Sequence, residues 1–408
     1  MDWILGWQWA RIRKLDSMTV LFISPAPFYQ ERGTPIAIDR ILRVLSERGE
    51  RVDVLTNHLG RNVDYPNVTI HRTAALPFIR NIRPGFSWNK VLCDVLILAK
   101  AIRLVLRKRP HLVHAVEEAV FIAVALRGFF RIPYVYDMDS SIPDKLVEQY
   151  SWLRHFWHVF MYLVGRAVRH AEAVVPVCDA IAAVIEKYEP KKVLVLPDFS
   201  LLDRAEPGAV EDLRLRLGIG GLLMMYVGNL EIYQGIDLLL DSYAVLLRQP
   251  DSADLVVIGG DPAGIVRYQQ KSRDLGIAER VHFIGPRPVE HLSAYLSQAD
   301  ILVSPRIRGS NTPMKIYSYL DSGKPVAATD LPTHTQVLTA EVAVLSGPTP
   351  EEFAGGIRRL VEDAALRARL GQAGRRLIAE KYNEAVFRDR VNELYDWLER
   401  KAAGPGSR

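Results

Sequence analysis

The order of residues in this chain predicts two doubly wound α/β domains of similar size, and three observations carry that prediction. Short apolar runs rich in β-branched residues alternate with longer helical stretches along almost the whole length, the pattern of parallel sheets covered by helices. The alternation pauses around 197–207, where Pro, Asp and Ser accumulate. Two strand ends lead into helices through the same design, Gly33-Thr34-Pro35 and Asn311-Thr312-Pro313.

Strands are expected at 20–24, 52–56, 112–114, 134–137, 173–177 and 193–196. A second series follows at 223–227, 254–258, 281–284, 301–303 and 326–328. Helical patterns fall at 35–48, 88–109, 153–170, 235–248, 289–298 and 313–322. The pause sets the boundary, giving an extension at 1–17, a first domain at 18–198 and a second at 199–380. Residues 381–408 hold a closing helix, 385–401, that can pack back on the first domain, and a tail from 402 that should be disordered. In doubly wound sheets a ligand sits outside the carboxyl ends of the strands, so the loops there carry the candidates.

In each Thr-Pro turn the threonine is placed to cap the helix and the proline to open it, and each helix stops at a glycine, Gly49 or Gly323. Unpaired amides and a positive dipole end at a strand terminus are the ingredients of an anion site. Arg32 beside Gly33 and Thr34, and Arg306, Arg308 and Lys315 beside Asn311 and Thr312, favour phosphate at both places.

The 408 residues are about half hydrophobic, enough for two buried cores, and carry only Cys93 and Cys178. That excludes a disulfide scaffold, fits a reducing compartment, and leaves no Cys/His cluster for zinc. The formal net charge of +5 is unevenly spread. Residues 71–110 hold nine basic groups against one acid, Asp94, which leaves −3 for the remainder. Such a focus suits an anionic partner, and a lipid surface fits better than nucleic acid, since no interleaved aromatic and basic recognition motif accompanies it. No apolar run reaches the ~18 residues of a spanning helix. The N-terminus, with Trp3, Trp7 and Trp9 running into Arg11, Arg13 and Lys14, lacks the form of a signal peptide and suits a membrane interface. Met18, directly before the first strand, is an alternative start. The expected location is cytoplasmic, peripheral on the inner face of the membrane.

At 300–329, ADILVSPRIRGSNTPMKIYSYLDSGKPVAAT, the chain resembles the donor-site motif of family 4 of the retaining glycosyltransferases. YVGNLEIYQGIDLLL at 226–240, VVIGGD at 256–261 and RVHFIGPRPVEHLSAYLSQAD at 280–300 support it, as do the Gly33 loop, LVHAVEE at 112–118 and VLPDF at 195–199. Their order and spacing cover nearly everything from Met18 onward. The resemblance implies a GT-B architecture, with two Rossmann-like domains facing each other across a cleft. It also implies transfer of a sugar from a nucleotide-sugar donor, most commonly uridine-linked, with no cofactor.

The chain departs from the family at informative places. Where the family often has two glutamates, Ser310 and Ser318 stand here. Where it often has an arginine and a lysine facing the diphosphate, Asn229, following Gly228, and Gln234 stand here. Asp139 replaces a common histidine. The chain resembles a subgroup with QG and IYSYL versions of these segments. The leaving diphosphate still needs positive groups, so Arg306, Lys315 and the amides of 311–314 are expected to supply them. Asn229 and Gln234 would add hydrogen bonds, Ser318 would face the ribose, and Ser310 and Asn311 the sugar. Retaining transfer on one face of the sugar needs no protein nucleophile, which leaves Glu117 and Asp139 to orient an acceptor hydroxyl or act as base. Asp137-Met138-Asp139 matches a metal-binding DxD only formally; no metal is expected, and its carboxylates should orient the Ser140-Ser141 turn. The acceptor is expected to be membrane-associated or a glycan. A nucleotide-sugar epimerase or a non-catalytic nucleotide-sugar-binding subunit would share most of these features.

Overall fold

A computed structural model describes residues 17–30, 33–77, 79, 88–140, 155, 157–202, 210–248 and 253–403. Expectations for 1–16, Arg32, Ser141 and 404–408 fall outside the described residues. The chain divides into two compact units, Met1–Pro197 with Phe387–Arg408, and Asp198–Val386.

The first unit contains β1 (Thr19–Ser24), α1 (Gly33–Glu47), β2 (Arg51–Thr56), β3 (Val68–Arg72), α2 (Trp88–Lys108), β4 (Leu112–Val116), α3 (Ala119–Phe130), β5 (Tyr134–Met138), α4 (Trp157–His170), β6 (Ala173–Pro176) and α5 (Asp179–Ile185). The strands form one parallel sheet in the order β3-β2-β1-β4-β5-β6. Right-handed crossovers put α1 on one face and α2, α3 and α4 on the other. β4 and β5 are buried at every residue, because helices cover both faces of a parallel sheet.

The second unit repeats this plan with α6 (Leu213–Leu217), β7 (Leu223–Val227), α7 (Ile236–Leu246), β8 (Asp254–Ile258), α8 (Pro262–Asp274), β9 (Val281–Gly285), α9 (Leu292–Ser297), β10 (Ile301–Ser304), α10 (Met314–Asp321), β11 (Val326–Thr329), α11 (Pro332–Thr335), β12 (Val344–Ser346), α12 (Pro350–Glu362) and α13 (Ala364–Lys381). Its order is β12-β11-β10-β7-β8-β9, which read from the other edge is the topology of the first sheet.

A last helix, α14 (Glu384–Ala403), sends its chain back onto the first unit. Arg48 holds Asp396 at 2.8 Å and Glu399 at 3.1 Å. Tyr395 is fully buried, with its hydroxyl 2.9 Å from His114 Nδ1. Lys401, Lys191 and Arg127 converge on Glu172. Burial alone would raise that carboxyl; the three hydrogen bonds outweigh it and bring it down to about 2.

Four expectations need correcting. Residues 193–196 form no strand; Val193 makes one isolated bridge to Val174. β3 and β12, both at sheet edges, escaped the pattern: β3 is only half-buried and β12 has three residues. The helix continues through Ala402, which is buried, so disorder does not begin there.

Candidate functional site

Both sheets reverse direction at one place, between β1 and β4 in the first and between β7 and β10 in the second. A sheet of this kind leaves a crevice there, beyond the strand ends. The candidate residues follow these strands and their neighbours.

In the second unit, β7 ends at Val227 and the chain passes through Gly228 to Asn229. Gly228 has φ +151°, and a Cβ there would lie 2.6 Å from Lys315 Nζ, so the missing side chain makes room for the ammonium. The short 3-10 turn Ile232–Gln234 ends at Gly235, φ +74°, where a Cβ would strike the Pro305 carbonyl. This approach sets buried Gln234 against α10. Lys315 Nζ lies 3.1 Å from Gln234 Oε1 and 3.9 Å from the centre of the Tyr226 ring. Among the described residues no carboxylate lies within ion-pairing distance of it. Burial, with the Arg306 charge adding to it, holds the Lys315 pKa well below its ordinary value.

Arg306 follows β10 and is buried. Its Nε donates to the Arg308 carbonyl at 2.7 Å, and its two terminal nitrogens donate to the Asn311 carbonyl at 3.2 Å and to Asn311 Oδ1 at 3.0 Å. The guanidinium lies 5.3 Å from the centre of the Tyr233 ring. Asn229 is exposed, with its Nδ2 3.5 Å from the Tyr233 hydroxyl. Arg306, Lys315, Gln234 and Gly228 are thus brought together.

The helix cap differs from the expectation. α10 starts at Met314 with Pro313 at the cap and no side-chain cap bond. Thr312 is buried with its hydroxyl unpaired, so it makes no cap bond. The matching turn fails likewise: α1 already includes Gly33, so Thr34 and Pro35 lie inside the helix and Thr34 is not its cap. Ser318 is buried, and its oxygen accepts from the Leu201 N–H at 2.9 Å, tying the 198–202 segment to α10. Ser310 is half-buried, with its carbonyl held by Gln336 Nε2 at 2.9 Å.

In the first unit the strand ends carry acids. Glu117 follows β4 in the left-handed region, φ 53°, an uncommon conformation for a non-glycine residue and one that clusters at functional sites. Buried Ser140 donates its hydroxyl to the Glu117 carboxylate at 2.8 and 2.9 Å. The Ser140 hydroxyl is thus held by Glu117. Asp137 lies beside His114, with Oδ2 to Nε2 at 3.4 Å. His114 is stacked on Phe22 at 4.4 Å, and burial lowers its pKa to about 3, so it is neutral. Asp139 follows β5 and is half-buried.

The C-terminal half, residues 216–377, matches the family model described as glycosyl transferases group 1, and residues 32–199 match that of glycosyltransferase family 4. The chain belongs to glycosyltransferase family 4. Curated relatives include the D-inositol 3-phosphate glycosyltransferase of Corynebacterium diphtheriae, 32% identical over 45% of this chain and 46% of that protein. That of Acidothermus cellulolyticus is 26% identical over 83% of this chain and 80% of its own length. For most of these relatives the matched region spans about half of their length. Among solved structures, sucrose-phosphate synthase from Thermosynechococcus elongatus superimposes with a TM-score of 0.78 at 20% identity, covering 94% of this chain and 100% of that one. Anabaena HepE in complex with UDP gives 0.72 at 16% identity, covering 93% and 100%; HepE was also solved with UDP-glucose. These likenesses establish the GT-B fold.

Within this family 4 chain, the side chains that shape the cationic corner went unnoticed in the sequence. The hydroxyl of Tyr226 donates to the Asn229 carbonyl at 2.7 Å, and that of Tyr319 accepts from the Val227 N–H at 2.7 Å. Both tyrosines sit at apolar positions of a strand and a helix, where periodicity marks them only as core.

Proposed function

We propose that this chain is a glycosyltransferase that binds a nucleotide-sugar donor on its second unit and passes the sugar to an acceptor with retention of configuration. The observation that carries the reading is Lys315. A half-buried lysine with no carboxylate partner among the described residues, beside the Arg306 guanidinium at the end of a switch-point strand, keeps its charge best with an anion against it, and a diphosphate supplies one. The two positions where the family often carries cations are Asn229 and Gln234. Lys315 reaches from α10 to the second of them, so the charge comes from another element to the same corner. The HepE complexes with UDP and UDP-glucose support a uridine donor.

Positive charge at this corner favours departure of the diphosphate, and its oxygens can take the acceptor proton. Glu117 and Asp139 would orient the acceptor hydroxyl or act as base. Transfer is proposed to need no metal, since Asp137 of the formal DxD is turned to His114. The decisive test is thermal stabilisation by a panel of nucleotides and nucleotide sugars, followed by product analysis. Stabilisation by UDP and UDP-sugars with an α-linked product from an α-linked donor is expected, and activity should survive a chelator. Reversible isomerisation of the donor sugar would indicate an epimerase, and binding without any turnover a non-catalytic subunit.

The acceptor is proposed to be lipid-linked or close to an anionic membrane. Among the described residues no helix is long and apolar enough to cross a membrane. Yet α2, α3 and α4, on one face of the first sheet, expose Leu92, Val95, Leu106, Phe129, Val159 and Tyr162. The sole acid in these three helices is half-buried Asp94, while Arg103, Arg107, Arg166 and Arg169 are exposed. Lys90 and Lys100 are engaged by Glu118 and the Arg72 carbonyl, so the arginines supply the surface charge. Each basic group near anionic lipid contributes about 1 kcal/mol. Binding to anionic vesicles at low salt is expected, with release at high salt and loss in a variant carrying Glu at 103, 107 and 108. Equal binding to neutral vesicles would reject the charge argument.

A further inference from the structure

The corner where β11 turns into α11 bonds to the loop carrying Arg306. The Thr329 hydroxyl lies 2.5 Å from the Arg306 carbonyl. His334 Nδ1 lies 3.0 Å from both the Thr329 carbonyl and its hydroxyl oxygen, and Nε2 lies 2.8 Å from the Ser304 hydroxyl. Ser304, Thr329 and His334 are all completely buried. Two further side chains of the corner hold the same loop: the Thr333 hydroxyl donates to the Asn311 carbonyl at 2.8 Å, and Gln336 Nε2 to the Ser310 carbonyl.

Proton directions in this network follow by elimination. Burial keeps His334 neutral, with a pKa of about 3, so one ring nitrogen donates and the other accepts. Nδ1 faces a carbonyl, which can only accept; Nδ1 therefore carries the hydrogen, and Nε2 accepts from Ser304. The Thr329 oxygen is turned toward that N–H, which leaves its own proton for the Arg306 carbonyl. One chain of bonds thus runs from the end of β10, through the imidazole, to the end of β11 and back to Arg306.

We infer that Thr329, oriented by His334, is a positioning residue that sets the backbone of Arg306 and so aims its guanidinium at the donor phosphates. The inference rests on the donor reading above. A buried chain with every bond direction fixed has a single arrangement, and a binding group seated on it is pre-organised. The guanidinium already bonds to Arg308 and Asn311 of its own loop, so a shift of the Arg306 backbone would move the whole loop as one piece.

The test is calorimetric titration with UDP of wild type, R306A, T329V, T329S and the double variant R306A/T329V, with the melting temperature of each measured without nucleotide. Valine keeps the shape of threonine and removes the donor. T329V should weaken UDP binding about tenfold, T329S should restore it to within about twofold, and T329V should add nothing to R306A, because it acts through that residue. The half-exposed Gln336→Ala should give a smaller loss and serves if T329V folds poorly. Unchanged affinity in T329V and in Q336A, or a T329V loss that adds in full to that of R306A, would overturn the proposal while leaving the donor site standing. Unchanged UDP affinity in R306A would overturn the donor reading and this inference with it.

Discussion

The two sheets have the same six-strand topology, yet their strand ends carry opposite chemistry. After β4 and β5 stand Glu117 and Asp139, with Glu117 held by Ser140. After β10 and at the start of α10 stand Arg306 and Lys315, the latter with a neutral amide and an aromatic ring against its Nζ. A doubly wound sheet thus provides a place and no chemistry; a few loop residues decide whether that place attracts a cation, an anion or a hydroxyl. The acids suit hydroxyl orientation and proton removal, the cations a diphosphate.

Substitutions on each side should separate these roles. Asp139→Asn and Glu117→Gln remove the acidic chemistry while keeping shape. If either residue is the base, its variant should lower kcat about a hundredfold, with donor KM within about twofold of wild type. An equal rise in donor KM would place that residue on the donor side and erase the contrast.

On the cationic side, Lys315→Ala or Arg306→Ala should lower kcat/KM for the donor by about 2 kcal/mol, roughly thirtyfold, with the fold intact. The exchange Q234K/K315Q sharpens the comparison by returning the charge to the loop position. It should recover at least half of the loss seen in Lys315→Gln, whereas Gln234→Lys alone sets two ammonium groups together and should weaken donor binding. Kinetics of Lys315→Ala and Arg306→Ala matching wild type would remove both residues from the donor site.

The smallest effect concerns acid stability, where the units should again differ. Each buries a neutral histidine, His114 or His334, whose pKa is lowered from 6.5 to about 3 by burial. A lowered histidine stabilises the fold fully above about pH 6.5, and the contribution is lost as pH falls toward 3. At pH 5.5 the loss is on the order of 1 kcal/mol for each. The first unit also buries Glu50, raised from 4.5 to about 7 by burial and by its hydrogen bond with Glu399. A raised carboxyl contributes fully below pH 4.5 and loses its contribution as pH rises through 7, so it opposes His114 on acidification. Hydrogen exchange followed by segment from pH 7.5 to 5.5, corrected for intrinsic rates, should show β10 and β11 losing protection before β4 and β5. Parallel loss in both sheets would refute the compensation by Glu50.

Much of the architecture was legible in the residue order because the buried strands of a parallel sheet are short, continuous and apolar, and each is followed by an amphipathic helix. β1, β2, β4, β5, β7, β8, β10 and β11 were found to within a residue or two for that reason. The neutral replacements Asn229, Gln234, Ser310 and Ser318 were equally plain, as was the cation-rich 306–315 segment. Edge strands β3 and β12 were not, since half-buried or three-residue strands leave no run to detect.

Tertiary structure alone decided which side chains meet. Gln234 and Lys315 are 81 positions apart and His114 and Tyr395 are 281 apart, and neither pairing leaves a periodic trace. It also overruled local chemistry: Thr312 looks like a helix cap, yet Pro313 takes the cap position and the Thr312 hydroxyl stays unpaired, and Ser318 turns to the Leu201 backbone. Local sequence sets how much surface each segment must bury and with what period. The partner that satisfies each buried polar atom is chosen only when distant segments pack, because hydrogen bonds depend on positions to a few tenths of an ångström.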